Sequence, residues 1–75
     1  MKEFRLIDKP IGEIVKHEDF HMHRKIFTSK DRMEVFAFVV NRPQYAKRCD
    51  TLSVITFSDA SITIYSYLEW VKKEC

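Results

Sequence analysis

The stretch MEVFAFVVN, residues 33–41, decides how the chain is read. Met33, Val35, Ala37 and Val39 alternate with Phe36, Phe38 and Val40, so both sides of an extended backbone are apolar. The residue types are largely aromatic and β-branched, which favours a strand. An apolar run with two apolar faces predicts a central strand covered on both sides. Residues 35–40 are also the longest unbroken apolar run in the chain. That is strand length, far short of the roughly 20 residues of a membrane span. The polar group Ser29, Lys30, Asp31, Arg32 precedes the stretch, and Asn41-Arg42-Pro43 ends it.

Working outward, residues 23–29 contain Ile26, Phe27 and Thr28 and read as a strand that stops at the polar turn. Residues 43–49 (PQYAKRC) predict a short helix opened by Pro43, whose fixed φ suits a first turn. Residues 52–58 (LSVITFS) alternate Leu52, Val54 and Thr56 against Ser53, Ile55 and Phe57, a period-two strand. Asp59-Ala60 makes the turn into residues 61–70, where Ile62, Ile64, Leu68 and Trp70 oppose Thr63, Tyr65 and Tyr67. Ile64, Leu68, Val71 and Cys75 also fit a helical spacing; composition favours strand to about Leu68, followed by a short helical tail. Near the N-terminus, Asp8-Lys9-Pro10 predicts a helix capped by Asp8, with Ile11, Ile14, Val15 and Met22 near one face. Gly12 weakens that helix, and an extended reading of residues 4–8 and 13–17 competes with it. The expected fold is α+β: a small antiparallel sheet of three to five strands with one or two short helices, in a single domain over residues 1–75.

Composition narrows the function classes. The chain has 75 residues, 45% of them apolar, with six Phe, three Tyr and one Trp, so it is rich enough in core formers to exclude a disordered class. A single glycine excludes a Gly-rich phosphate loop, and no nucleophile-elbow or kinase-type pattern is present. The reading is therefore non-enzymatic, without a cofactor. Glu3, Arg5 and Asp8 interrupt the apolar character of the first ten residues, so no secretion signal is read and a cytoplasmic, membrane-free setting is expected. Cys49 and Cys75 lack a zinc-type spacing and read as free thiols. Domains this small often need a disulfide, a metal or a second copy to hold together.

The metal option rests on His17, His21 and His23, which fall within seven residues together with Glu18 and Asp19. Imidazoles and carboxylates suit zinc. Their spacing does not converge on one element: His17 and His21 share a face on a helix, His21 and His23 on a strand. Asp19-x-His21-x-His23 is similar to the ligand pattern of metal-dependent hydrolases, whose barrels need about 200 residues or more. A solvated helix-to-strand junction is the preferred reading, with a metal site on the three histidines as the third alternative.

The net charge of +2 conceals an uneven distribution. Residues 24–48 carry +5 and the remainder −3, and no Lys or Arg occurs from Cys49 to Val71. Arg24, Lys25, Lys30, Arg32 and Lys47 are thus candidate phosphate contacts for a nucleic acid. Phe36-Ala37-Phe38-Val39 resembles the middle of the base-stacking strand of RNA-recognition domains. Glu34-Val35 and Asn41 depart from that motif, and Phe4-Arg5-Leu6-Ile7 does not supply its first-strand partner. Phe36 and Phe38 are accordingly read as core.

The leading reading is a small protein-binding regulator or inhibitor that works by direct contact with a partner protein. Free-standing chains of this kind are frequent among phage and mobile-element products, and edge-to-edge or face-to-face self-association into a homodimer is expected. Its candidate contact residues are Arg42, Tyr45, Arg48, Tyr65, Tyr67 and Trp70, because Arg, Tyr and Trp dominate interface hot spots. A nucleic-acid binder using the basic segment is the alternative.

Overall fold

The structure, a computed structural model, describes residues 2–14 and 25–74. Four antiparallel strands form one sheet in the order β2-β1-β3-β4: β1 Glu3–Ile7, β2 Lys25–Ser29, β3 Ser53–Phe57 and β4 Ile62–Ser66. Among the described residues four short helices accompany them: α1 Ile11–Ile14, α2 Arg32–Val40, α3 Pro43–Ala46 and α4 Tyr67–Glu74, with a 3₁₀ turn at Cys49–Thr51. The α+β class and the antiparallel sheet are as the sequence predicts. No helix among the described residues is long and apolar enough to cross a membrane.

The stretch at residues 33–41 is not the central strand; it is α2, and β1 and β3 hold the centre of the sheet. Asp31 is extended and its Oδ1 accepts a hydrogen bond from the Met33 backbone N–H at 2.9 Å, capping the helix start. Ser29 Oγ in turn accepts from the Asp31 N–H at 3.0 Å. Val35 and Val39, four residues apart, are the fully buried pair, with Phe36 and Phe38 half-buried beside them. Packing of this stripe on the sheet outweighs the modest helix-propensity cost of the β-branched residues.

The second boundary follows the same logic. Tyr67 N–H donates to Leu52 C=O at 2.9 Å, the last rung of the β3–β4 ladder, and the helix begins at once. Ser66 Oγ accepts from Glu69 N–H at 3.4 Å at the start of α4. The strand therefore ends at Ser66, two residues short of the sequence expectation. The β3–β4 turn at Asp59-Ala60 contains no left-handed residue. Instead the Ser58 hydroxyl donates to Ser61 C=O at 3.1 Å and accepts from Ser61 N–H at 3.2 Å.

The core divides by face of the sheet. On one face Phe4, Leu6 and Val54 meet Val35 and Val39 of α2 and Trp70 of α4. Phe4 stands edge-on to Trp70, with ring centroids 5.4 Å apart. On the other face Ile7 and Ile55 bury Ile14 of α1, and Ser53 Oγ donates to Lys9 C=O at 2.7 Å beside them. Strand β1 is thus extended where the sequence left helix and strand competing, and the helix starts one residue after Pro10.

Candidate functional site

Three of the six sequence-predicted contact residues come together. Arg42 follows α2, Tyr45 lies on α3, and Arg48 follows α3. The proline at the first position of α3 starts a turn that carries Tyr45 back over the end of α2, where its ring lies 6.0 Å from that of Phe38. Phe38 stacks in turn on Phe27 of β2 at 4.4 Å. The Arg42 guanidinium lies 3.7 Å over the Phe38 ring and donates to the Phe38 C=O at 3.1 Å, serving the C-terminal end of α2. Arg48 sits 5.5 Å from the Tyr45 ring centroid. The result is a partly exposed ladder of three rings flanked by two guanidinium groups.

Arg48 is also clamped. It grips the Asp8 carboxylate with two hydrogen bonds of 2.6 and 2.8 Å, a bidentate pair that ties the end of β1 to the end of α3. Those bonds hold the Asp8 carboxyl below its ordinary value; partial burial opposes them, and charge attraction from Arg48 and Lys9 adds to them. Arg48 is thereby a fixed element of the surface, whereas Arg42 is exposed at the end of α2 with no carboxylate partner among the described residues. Beside the ladder, Asp8, Lys9, Lys25, Ile26 and Tyr45 line a cleft of about 400 Å³.

The other three predicted contact residues lie elsewhere. Trp70 is 0% exposed and Tyr67 is 3% exposed, so both belong to the core and offer no contact surface. A lone Trp in an alternating pattern carries no mark that separates core from surface. Tyr65 is half-buried on β4, with Lys73 Nζ 5.3 Å from its ring centroid. Phe27, Phe38 and Asp8 were not foreseen as members of the site. Phe27 and Asp8 reach it through long-range packing for which sequence spacing has no signal, whereas Phe38, read as core, lies four residues before Arg42.

The basic residues do not form one patch. Lys25 is exposed at the start of β2, next to Lys9 and Tyr45. Lys30 and Arg32 are exposed beyond the other end of β2, near Lys2 and Glu74. The five-residue strand between them spans roughly 17 Å, about twice the physiological Debye length of about 8 Å. Lys47 is exposed at the end of α3. Arg24 and the metal candidates His17, His21 and His23 lie outside the described residues. Among the described residues no group of three or more His, Cys, Asp or Glu could hold a metal ion. Cys49 is a half-buried free thiol packed against the core, and Cys75 lies outside the described residues.

Comparison with protein-family models, curated proteins and solved structures finds no match to this chain.

Proposed function

We propose that the protein is a small non-enzymatic regulator or inhibitor that binds a partner protein through the Phe27–Phe38–Tyr45 ladder and Arg42. The observation behind this reading is the convergence of three elements, β2, α2 and α3, on one partly exposed surface of rings and guanidinium groups. Tyr and Arg supply large, stiff contact area at low entropic cost and recur at interface hot spots. The cleft beside the ladder gives a partner side chain a place to enter, and Lys9 and Lys25 at its rim favour an acidic one. The nucleic-acid alternative draws less support, because the basic side chains that would track a phosphate backbone sit at two separate ends of β2.

The test is capture from an extract of the native cell by wild-type protein and by Arg42→Glu, an exposed substitution. A partner retained by the wild type and lost with Arg42→Glu, at unchanged thermal stability, supports the reading. Identical capture by both proteins counts against it. A nucleic-acid mobility shift that weakens steeply with salt would favour the alternative.

A further inference from the structure

The sheet has two outer strands, and one of them is built for a second copy of itself. In the β3–β4 ladder, Ser58 pairs with Ser61 and Leu52 with Tyr67 through direct backbone bonds. The register between them, with Ile55 opposite Ile64, makes Thr56/Thr63 and Val54/Tyr65 the intervening hydrogen-bonded pairs. The backbone N–H and C=O groups of Ile62 and Ile64 therefore point away from β3, toward the outer edge. Among the described residues no strand pairs with that edge. The strand itself, ITIYS, has no charge, proline or glycine, and it pairs with β3 without a bulge. Among the described residues this edge thus has no charge, proline or bulge to deter strand addition. Of the four large apolar side chains most exposed on the protein, Ile62 (51%) lies on β4 and Leu68 (47%) just beyond it.

We propose that the protein forms a twofold-symmetric dimer by antiparallel pairing of β4 with β4 of a second copy, joining two four-stranded sheets into one of eight. The register is set by charge as well as by the backbone. Side chains keep their face only if the twofold axis passes through a residue, and Thr63 and Ile64 are the central choices. Asp59 precedes the strand in the β3–β4 turn and Glu69 follows it on α4, and an axis at Ile64 brings these acidic flanks of the two copies level. An axis at Thr63 offsets them. It places Ile62 opposite Ile64 of the other copy, where their outward backbone groups form hydrogen-bonded pairs, and Thr63 opposite Thr63, a favoured cross-strand match. Ile62, Thr63 and Ile64 thus each meet a residue of their own kind, which a heterologous strand would not supply without being equally uncharged and β-branched. The paired edge is short and covers less than the roughly 1,600 Å² of a standard interface, so the dimer forms in the micromolar range and above.

Sedimentation velocity of the full chain from about 10 µM to about 1 mM reads this directly. A monomer–dimer equilibrium is expected. Ile62→Pro removes one outward N–H from each copy at the first residue of an edge strand, a position where the fold tolerates proline. It is expected to weaken the dimer about tenfold or more. Ile62→Lys, which leaves the backbone intact, is expected to do the same by charging the edge, while Met33→Lys on α2 changes nothing. In a Cys49→Ala, Cys75→Ala background, Thr63→Cys is expected to form a disulfide-linked dimer on mild oxidation, because opposed Cα atoms in a non-hydrogen-bonded pair lie about 4.5 Å apart. Strictly monomeric protein over the whole range overturns the proposal. So does undiminished dimerisation of a folded Ile62→Lys protein, and cross-linking that prefers Ile64→Cys to Thr63→Cys overturns the register.

Discussion

The two outer strands of the sheet are alike in length and differently defended. Strand β2 reads KIFTS and is followed by Lys30, so a lysine stands at each end. It meets β1 through an irregularity between Leu6 and Ile7 that shifts the register. Lysines and bulges are both devices that discourage strand addition. Strand β4 has neither. The aromatic side chains are divided in the same way: Phe27 of β2 feeds the exposed ladder with Phe38 and Tyr45, whereas β4 runs straight into α4 and the buried Trp70. The β2 side displays its rings and guards its backbone with lysines and a bulge; the β4 side has neither guard and exposes Ile62 and Leu68. The proposed recognition of a different protein draws on the first arrangement, and the proposed association with an identical strand on the second.

That division can be broken first at α4, whose packing holds the β4 side together. Trp70→Ala is expected to cost about 3–5 kcal/mol, the range for a fully buried large aromatic, read by denaturant unfolding. Among the described residues the buried Trp70 Nε1–H has no hydrogen-bond partner, so Trp70→Phe forfeits packing volume but no bond and is expected to cost clearly less than Trp70→Ala. Next come the two caps that end the outer strands. Asp31→Ala removes a 2.9 Å bond at the start of α2 and is expected to cost about 1 kcal/mol. Ser66→Ala removes a longer bond of 3.4 Å at the start of α4 and is expected to cost less than Asp31→Ala. A reversed order would show that the β4 junction depends on its cap more than the β2 junction does.

Smaller still is the Asp8–Arg48 clamp, which steadies the display side. Its folded-state carboxyl titrates below the unfolded value of about 3.9. The pair therefore contributes its full stability above that value and loses it as the pH falls through the lower, folded value. Both partners are well exposed, so screening keeps the effect small. Asp8→Asn is expected to lower the unfolding midpoint slightly at neutral pH and to abolish that difference from wild type at strongly acidic pH. Gly12→Ala works in the opposite direction. Gly12 lies in α1 without positive φ, and an added Cβ meets no atom within 4 Å. A gain of about 0.4–1 kcal/mol is expected from the stiffer unfolded chain.

Much of this architecture is legible in the residues. Alternation in residues 52–58, the Asp59-Ala60 turn and the proline that opens α3 all appear in the structure where the sequence places them. Residues 33–41 show where alternation misleads. A helix with a broad apolar stripe also presents apolar residues at odd and even positions, so period two and period 3.6 fit the same nine residues. The deciding signal stands just before them: Asp31 with Glu34 three residues on, the signature of a helix start ahead of an apolar run. Ser66 with Glu69 repeats it at the β4–α4 boundary. At the site, Arg42, Tyr45 and Arg48 are legible because one local turn brings them together. Asp8 and Phe27 are not, since they arrive through β1 and β2 from distant parts of the chain.

The central position of β1 has a consequence for how the chain reaches this form. Residues 3–7 are synthesised well before residues 53–57, yet β3 is one of the two neighbours of β1 in the sheet. The β1–β2 pair has both its strands before β3 is made, so the middle of the sheet closes only when β3 appears. β3 and β4 are joined by a short turn. Pairing of β1 with β3 across the intervening chain carries the loop-closure cost that slows long-range pairing. Until β3 docks, one side of β1 is itself an open edge, so the growing chain exposes for a time a row of backbone groups that the finished sheet covers.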